Sequence, residues 1–578
     1  MNKTTVTLGE LHPQTKEELE IARSLLHAEL EKKQLTGIPS VDRVWRSYYS
    51  GEQLSVQAPQ MSMSDYLYER NKHRLHLNSF DYMGKKITYE EMFHRIEDTA
   101  KRFQKYGVKE ADYVNLAMPV SPETIYMVYG LDKIGACASL IDPRVGSERM
   151  SYYLQLVNSS LVGITGIYAE SMRLAVAKRE NTTMLNISPL QSFGAGEKNM
   201  LKLLYACKSA PETLKEIAFN LSAASKGNKI VSAKRFYGGN LDAYQLHIPP
   251  YKRNRTAIVE YTSGTTGVPK GLELSAASIN LVAEQCQHLI SSEAGQTMLG
   301  IMPPFISYGI VCGTHEVLCR GLESILIPNF QPEIFAELVL KHRPNHIVCV
   351  PSYLQLLMRS DLVKQDTDLS HIKNIIVGGN KIGIEFERDF NVWLKEHGCN
   401  VSVSKGGGMA EYASCLFYTP FESTKKPGVY GLPLPSVDAK IVDESGNELG
   451  YYEVGEIHIT SAQAMNGYVH NQTATDEFFY IDNCGRKYGR SGDLGYVDIN
   501  GLFTLLDRKK QMVIRPDGHN VFPSEISAII SDHEAVENCL VAGIQAPEFE
   551  SGQWPTAFIK LKPEYVDAKN KVLGDIKA

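Results

Sequence analysis

The sequence predicts an α/β protein: a large domain of parallel sheets with a small β-barrel-like part, followed by a small α+β domain. Helical segments alternate with short apolar runs from Met61 to about Thr165, and again from Thr256 onward. Many of these runs end in Gly, Pro or Asn, which is typical of buried parallel strands that carry loops at their carboxyl ends. After about Tyr430, shorter strands with glycine turns favour antiparallel, barrel-like pairing.

Length and composition exclude several classes of protein. The chain has 578 residues, which suggests three to five domains at roughly 100–200 residues each. It is 43% hydrophobic and 22% charged, so it can bury sizeable cores and lacks the composition of a disordered protein. Its net charge of −6 argues against a generally basic nucleic-acid or membrane binder. We therefore expect no nucleic-acid partner.

The sequence also bears on the compartment. The first residues, MNKTTVTLGELHPQ, contain no apolar signal region, and no run reaches about 18 uninterrupted apolar residues. The ten cysteines are scattered and form no C-x-x-C pair. We expect a cytoplasmic protein without a membrane span, whose reduced cysteines act as small core hydrophobes.

Local signals mark three regions outside the regular strand–helix alternation. Thr15 and Glu18 form a T-x-x-E capping box before an amphipathic helix, and the region up to residue 60 is predicted to be an N-terminal extension. Residues 190–250 are less regular and are interpreted as a peripheral insertion. Near the end of the chain, ESGNELG and DINGLF are hairpin-like turn signals.

The segment 258–275, IVEYTSGTTGVPKGLELS, carries the strongest functional signal. A short apolar strand leads into Thr262, Ser263, Gly264, Thr265, Thr266 and Gly267. The glycines allow backbone N–H groups to point at one spot, and the hydroxyls add further donors for an anion. Lys270 adds a compact positive charge suited to phosphate. No Walker A loop can be aligned here, and the simpler alternative is a polar surface loop.

This string resembles the phosphate-loop signature of the adenylate-forming (AMP-binding) enzymes, which include acyl-CoA synthetases, aryl-CoA ligases and peptide-synthetase adenylation domains. Further segments resemble family motifs in the family's order: GGGMAE (406–411), SGDLGYVDINGLFTLLDR (491–508) and GHNVFPSEI (518–526). MPPFISYG (302–309) and VGGN (377–380) fit the two acyl-pocket segments. The resemblance spans roughly residues 60–565.

The resemblance implies a set of site residues. Thr265, Lys270 and Glu411 are expected to be catalytic, with Glu411 as the magnesium ligand. Asp493 is expected to bind the ribose hydroxyls, and Arg508 the ribose or a phosphate. Residues expected to contact the nucleotide or coenzyme A are Thr262, Ser263, Gly264, Thr265, Thr266, Gly267, Lys270, Gly379, Gly408, Met409, Asp493, Arg508 and Gly518. The plain alternatives are a solvated Glu411 and an Asx-turn at Asp493.

The resemblance also implies a division of the chain. After the extension (1–60), residues 61–508 correspond to the adenylation domain and 509–578 to a small C-terminal domain. Lys510 falls where the family places the pivot between an adenylation pose and a thioester-forming pose. A charged turn is the alternative reading of that position.

Two departures from the family pattern concern the nucleotide. Gly407 stands where the family usually has an aromatic residue that stacks on adenine, and the loss of such a face costs about 1–3 kcal/mol of binding. Ala410 stands where the family has a threonine, so a phosphate-binding hydroxyl is missing. Ser491 for threonine is milder, because the hydroxyl stays.

A third departure concerns the last residues, DAKNKVLGDIKA. In the family, the small domain continues to a P-x-x-x-x-G-K-[IL] loop whose lysine contacts the carboxylate and the α-phosphate. The sequence shows no such loop, so the small domain is expected to be incomplete. Either a truncated chain or a homologue with an inefficient first half-reaction would account for this.

The predicted function is ATP-dependent activation of a carboxylic acid to acyl-AMP and then to an acyl-CoA thioester. The implied ligands are ATP, Mg²⁺, coenzyme A and a fatty or aryl acid. Ser307 stands where many acyl-CoA synthetases carry His, and we found no aspartate that would bind the amino group of an amino acid. Two alternatives stay open: a homologue that binds nucleotide or acyl-adenylate with little turnover, and an enzyme that loads a separate acyl carrier protein.

Overall fold

The computed structural model describes residues 13, 15–166, 169–193, 226–262, 269–328, 330–515, 520–531, 533–545 and 553–577. The α-helices in these ranges are Lys16–Lys33, Pro39–Asp42, Gly51–Leu54, Met63–Asn71, Tyr89–Lys105, Pro122–Lys133, Ser147–Leu156, Ala169–Ala177, Ala233–Phe236, Ala276–Leu289, Glu316–Cys319, Phe335–His342, Pro351–Met358, Ile384–Glu396, Gln472–Phe478, Pro523–Ser531 and Lys569–Lys577. A π-helix, Tyr308–His315, leads into Glu316–Cys319.

The strands in these ranges are β1 (Asn78–Tyr82), β2 (Lys85–Thr88), β3 (Tyr113–Ala117), β4 (Cys137–Leu140), β5 (Leu161–Thr165), β6 (Thr183–Ile187), β7 (Lys229–Ser232), β8 (Thr256–Thr262), β9 (Lys270–Ser275), β10 (Thr297–Gly300), β11 (Glu323–Leu326), β12 (His346–Cys349), β13 (Asn374–Val377), β14 (Ser404–Met409), β15 (Ser414–Tyr418), β16 (Leu432–Pro433), β17 (Val437–Val442), β18 (Gly455–Ser461), β19 (Gly467–Tyr468), β20 (Phe479–Ile481), β21 (Lys487–Val497), β22 (Phe503–Arg508), β23 (Val513–Ile514), β24 (Asn520–Val521), β25 (Val536–Gln545) and β26 (Gln553–Leu561).

Two mostly parallel sheets form the large domain. In the first, described strands lie in the order β16-β15-β14-β13-β12-β10-β11-β1-β2, with parallel pairing from β14 to β1. In the second, the order is β19-β9-β8-β4-β3-β5-β6-β7, and only β9 and β19 run antiparallel to their neighbours. Central strands such as β4, β11 and β12 are buried along their whole length, as expected when helices cover both faces.

Helices between the sheets fill the main core. Residues 122–132 of the helix Pro122–Lys133 are all buried, and the helix Ala276–Leu289 is buried over most of its length. A helix that is buried on all sides can lie only where other elements surround it. Buried residues of both sheets and of these two helices belong to one hydrophobic core.

The C-terminal third has the antiparallel pairing that the glycine turns predict. Among the described strands, β17-β18-β21-β20 form an antiparallel sheet, and β22 also pairs with β21. Beyond it lie two separate ribbons, β23-β24 and β25-β26, with the helix Pro523–Ser531. This arrangement confirms the predicted fold class. No helix in the described ranges is long and apolar enough to cross a membrane.

The N-terminal extension packs on the antiparallel sheet. The Thr15–Glu18 capping box is present, and the Arg23 guanidinium donates to the carbonyl of Tyr452 at 2.9 and 3.0 Å. Trp45 is buried against Phe503, with ring centroids 5.7 Å apart. Part of the predicted insertion, residues 194–225, lies outside the described residues.

Candidate active site

The predicted phosphate loop begins and ends at one point. Thr262 closes β8, Lys270 opens β9, and the two residues are register partners in an antiparallel pair. The chain therefore leaves and returns at the same place, next to the ends of the parallel strands. The loop residues Ser263, Gly264, Thr265, Thr266 and Gly267, and also Gly518, lie outside the described residues.

Lys270 and Glu411 are brought together by a tyrosine. The Lys270 ammonium lies 4.9 Å from the ring centroid of Tyr468, and the Tyr468 hydroxyl donates to Glu411 Oε1 at 2.8 Å. Burial, followed by the Glu411 charge, raises the pKa of Tyr468, so this hydroxyl keeps its proton. Two of the predicted catalytic residues thus share one cleft, 141 positions apart in the chain.

Glu411 is held by a tight turn at the end of β14. The strand ends at Met409, and a 3-10 turn over Ala410–Tyr412 follows. The buried Tyr412 hydroxyl donates to the carbonyl of Ile459 at 2.6 Å, and Met465 N–H donates to the Glu411 carbonyl at 2.7 Å. The backbone at Glu411 is therefore fixed on both sides, and the Tyr468 hydroxyl orients its carboxylate.

The cleft around these residues is charged. The space within it, together with its open mouth, is about 1450 Å³. Its lining includes five basic and three acidic side chains: Lys270, Arg490, Arg508, Lys509, Lys510, Glu411, Glu456 and Glu477. An excess of positive charge in a confined cleft attracts polyanions such as nucleotide phosphates.

A second cavity, of about 1010 Å³, is lined by three more of the predicted residues, Gly379, Gly408 and Asp493, and again by Arg508. Asp493 and Arg508 are register partners on β21 and β22, and Arg508 Nε lies 2.8 Å from Asp493 Oδ1. Burial raises the pKa of Asp493 to about 6, although the Arg508 charge opposes the shift. The carboxylate thus stands in the cavity wall with its charge balanced by one arginine.

The ring of Tyr430 occupies the space beside Gly407. A Cβ atom placed on Gly407 would lie 2.0 Å from Tyr430 Cε2, so no larger residue fits while the ring stays in place. Tyr430 lines the second cavity together with Gly407. The aromatic ring that position 407 lacks is therefore supplied by Tyr430, which lies on the connection between β15 and β16.

A third, largely apolar cavity encloses about 1000 Å³. Its lining includes Phe305, Ser307 and Tyr308 from the predicted acyl-pocket segment, with Ile290, Val348, Ile376 and three cysteines, Cys286, Cys312 and Cys415. The Tyr308 hydroxyl donates to the carbonyl of Cys349 at 3.1 Å, which fixes the ring in the wall. Buried Glu260 is an ionisable residue in this wall.

The three cavities meet along one strand. Gly406, Gly407 and Gly408 line both the apolar and the second cavity, whereas Met409 and Ala410 line both the apolar cavity and the charged cleft. Thr262 also lines the apolar cavity and the charged cleft. A molecule that spans the three cavities would pass this strand at their junction.

The predicted pivot lies on an exposed turn that Lys509 holds in place through its side chain and its backbone N–H. Lys509 Nζ lies 2.9 Å from Glu456 Oε2, and Lys509 N–H donates to the Gly492 carbonyl at 2.8 Å. Burial alone would raise the pKa of Glu456, but hydrogen bonds from His458 and Lys509 outweigh it and lower the pKa to about 2. Lys510 is exposed next to this ion pair.

Four residues at these cavities were not predicted from the sequence: Glu260, Tyr430, Glu456 and Tyr468. Glu260 had a signal, because it is a carboxylate inside the otherwise apolar run AIVEY just before the loop. The positions of the other three depend on strand pairing between distant segments. No local pattern in the sequence marks them.

Comparison with known proteins identifies the family of the chain. The family model of the AMP-binding enzyme matches residues 68–469, more than half of the chain. The chain is 29% identical to a probable 4-coumarate–CoA ligase of Dictyostelium discoideum over 81% of this chain and 79% of that protein. It is 27% identical to a long-chain-fatty-acid–CoA ligase of Bacillus subtilis over 84% and 82%.

Solved structures share the fold. The ATP-bound MatB of Rhodopseudomonas palustris aligns with a TM-score of 0.69 at 20% identity over 87% of this chain and 89% of that one. The anthranilate CoA ligase AuaEII, in complex with anthranoyl-AMP, aligns with a TM-score of 0.72 at 17% identity over 90% of each chain. The chain belongs to the AMP-binding, adenylate-forming enzymes, and within them to the acyl-CoA synthetase type.

Proposed function

We propose that the chain activates a fatty or aryl carboxylic acid with ATP and transfers the acyl group to the thiol of coenzyme A. The observation that carries this proposal is the meeting of three cavities along Gly406–Ala410. An apolar cavity suits a hydrocarbon, the cavity beside Tyr430 and Asp493 suits a nucleoside, and the charged cleft suits phosphates. The junction is where a carboxylate and an α-phosphate would meet.

In the first step, a carboxylate oxygen bonds to the α-phosphorus of ATP while the bond from that phosphorus to the bridging oxygen breaks. Pyrophosphate leaves and acyl-AMP remains. Both reactants are anionic, so positioning and charge neutralisation are the main requirements. Lys270 and the hydroxyls of the 262–267 loop would neutralise the phosphates, Asp493 would bind the ribose, and Arg508 the ribose or a phosphate.

The residues present fit a magnesium ion that arrives with the nucleotide. Glu411 offers a carboxylate of which Tyr468 contacts only Oε1, and the residue lines the charged cleft. Among the described residues, no cluster of three or more His, Cys, Asp and Glu side chains could hold a metal by itself. Magnesium commonly takes one or two carboxylates together with substrate phosphates and water, where it neutralises phosphate charge.

In the second step, the coenzyme A sulfur bonds to the acyl carbon as the bond from that carbon to the AMP oxygen breaks; the thiol proton passes to solvent. Lys510 would be the pivot for residues 509–578 between the two steps, and the loop at Gly518 would approach the pantetheine. A carrier-protein phosphopantetheine could offer the same thiol chemistry. Both acceptors therefore belong in the test.

The test is a pyrophosphate-release assay with panels of fatty, aryl and amino acids, followed by detection of acyl-CoA or acyl carrier protein. Release that depends on a fatty or aryl acid, with AMP and acyl-CoA as products, supports the proposal. Lys270→Ala is the matched loss-of-function variant. Release with amino acids only, or thioester formed only on a carrier protein, would contradict it.

Nucleotide binding without turnover is the second candidate, favoured by Ala410 in place of a hydroxyl. Isothermal calorimetry with ATP and with a non-hydrolysable acyl-adenylate measures it directly. Tight binding of both ligands with no pyrophosphate release would establish that candidate over the enzyme.

A further inference from the structure

Glu260 is a carboxyl group in the wall of the apolar cavity. It lies on β8, two residues before Thr262, and its exposed fraction is 2%. Most of the neighbouring lining is hydrocarbon, aromatic ring or thiol. A carboxyl group in such a place costs free energy unless its oxygens are hydrogen-bonded.

Only one oxygen of Glu260 has a partner within the described part of the chain. The Ser307 hydroxyl donates to Oε2. Oε1 is buried and receives no hydrogen bond from any described residue. Burial raises the pKa of Glu260 to about 7, although the Ser307 hydroxyl and the Ser307 backbone N–H oppose the shift. Near neutral pH the group can therefore both accept and donate a hydrogen bond.

The other carboxyl group that lines this cavity is already paired. Glu316 Oε1 lies 2.5 Å from Arg320 Nε within one helical turn, and both side chains are buried. Among the described lining residues, the Tyr308 hydroxyl is also satisfied by a backbone carbonyl. Glu260 thus lines the cavity with a carboxyl group whose Oε1 has no partner among the described residues and is itself buried.

We propose that Glu260 selects an acid whose hydrocarbon part carries a hydroxyl or amino group, which hydrogen-bonds to Glu260 Oε1. This inference rests on the proposed function, because it assigns the apolar cavity to the acyl group. A substrate donor would satisfy the buried oxygen, whereas an unsubstituted acid of the same shape would leave it unpaired. Sites of this kind discriminate strongly against the analogue that lacks the polar group.

The experiment uses matched acids: cinnamate against 4-hydroxycinnamate, benzoate against 2-aminobenzoate, and octanoate against 3-hydroxyoctanoate. For each pair, kcat and KM for pyrophosphate release are measured, together with the affinity of the acid by calorimetry. At least one donor-bearing acid should be preferred by about tenfold or more over its partner. Most of that preference should reside in KM and in affinity, because the contact exists before the reaction.

Glu260→Leu should abolish the preference by weakening the donor-bearing acid, while the unsubstituted acid is used as well as before or better. Glu260→Gln retains polar atoms at the site and should keep part of the preference for the donor-bearing acid. Glu123→Gln is the matched control, since Glu123 is equally buried and bonded to a serine, Ser192, but lines none of the three cavities.

Two results would overturn the inference: a wild-type chain that shows no preference within any pair, or a preference that survives Glu260→Leu. A change of the same size in Glu123→Gln would assign the effect to folding instead. If no acid supports pyrophosphate release, the proposed function fails. The calorimetric comparison of each pair then still decides the role of Glu260.

Discussion

At the scale of one residue, a substitution at Glu411 tests whether this carboxylate serves catalysis or only the fold. In Glu411→Gln, the side-chain oxygen that accepts the Tyr468 hydroxyl is kept while the negative charge is lost. We expect magnesium-dependent ATP affinity to fall by more than about tenfold, because even outer partners of a metal ligand are worth roughly 10–100-fold. The midpoint of thermal unfolding should stay nearly unchanged.

Tyr468→Phe is the control for that substitution. It removes the hydroxyl that orients Glu411 but leaves both the carboxylate and the ring beside Lys270. It should weaken ATP binding less than Glu411→Gln does. A large fall in the unfolding midpoint of Glu411→Gln, with ATP affinity unchanged, would mean that the carboxylate serves the fold.

The raised pKa of Glu260 predicts how the free energy of unfolding changes with pH. The folded chain holds this proton up to a pKa of about 7, whereas an unfolded glutamate releases it near the ordinary glutamate pKa of 4.5. The free energy of unfolding should therefore fall as pH rises from about 4.5 to about 7, by up to about 3 kcal/mol from this group. Glu260→Gln lacks the titration, so its stability relative to wild type should increase over that interval.

Urea unfolding of both chains at pH 5 and pH 8 measures this difference. Glu123→Gln is expected to behave similarly, because burial also raises the pKa of Glu123 to about 7. Equal shifts of wild type and Glu260→Gln between the two pH values would show that Glu260 ionises normally in the folded state.

Between elements, a row of aromatic rings connects the N-terminal extension to the second cavity. Trp45 contacts Phe503 at 5.7 Å between centroids, Phe503 contacts Phe417 at 5.1 Å, and Phe417 contacts Tyr430 at 4.9 Å. Tyr430 N–H also donates to the Phe503 carbonyl at 2.7 Å. The Tyr430 ring beside Gly407 is thus held by Phe417 and Phe503, and Trp45 packs behind Phe503.

A double-mutant cycle tests the pairing of Tyr430 with Gly407. Gly407→Ala alone should destabilise the chain and weaken ATP binding, because the new methyl group would collide with the Tyr430 ring. Tyr430→Ala alone should weaken ATP binding by removing the aromatic face, by about 1–3 kcal/mol. In the double variant the stability cost of Gly407→Ala should largely disappear, since the colliding ring is gone.

Calorimetry with ATP and thermal unfolding of the four chains provide the data. Additive stability effects would mean that the ring can move aside without cost, and the close approach would then have no consequence. Trp45→Ala tests the far end of the row: it should cost about 3–5 kcal/mol of stability as a large buried ring is lost.

At the scale of the whole molecule, a substitution in the turn after β22 should slow one half-reaction without slowing the other. In Lys510→Pro, the backbone N–H is removed and φ is fixed near −65°. We expect thioester formation to slow by about tenfold or more, while single-turnover formation of acyl-AMP stays within about twofold, because hinge residues absorb backbone rotation. Lys510→Ala removes the charge but not the rotation, and it should resemble wild type in both steps.

Quenched-flow measurements of acyl-AMP and acyl-CoA in the same reaction distinguish the steps. A proline variant that slows both steps equally would place the effect in the active site, not in a pivot. Glu456→Gln, which removes the partner of Lys509, should alter the ratio of the two rates with Lys510 intact.

Local patterns in the sequence were sufficient for the fold class, for the capping box at Thr15 and for the family. They sufficed because strand–helix alternation and short phosphate-binding motifs are encoded in neighbouring residues. The same motifs predicted that Lys270, Glu411, Asp493 and Arg508 would matter. Of these, the structure brings Lys270 and Glu411 to one tyrosine, and Asp493 to Arg508 as an ion pair. Their catalytic roles stay predictions.

Only the tertiary structure decided which side chains complete the cavities. Tyr430 lies beside Gly407 because a connection after β15 returns the chain to β22, and Tyr468 lies between Lys270 and Glu411 because β19 pairs with β9. Likewise, that Ser307 reaches one oxygen of Glu260 while no described residue bonds to the other depends on how distant segments pack. Such contacts join segments far apart in the chain, and their register depends on long-range packing that no local sequence window contains.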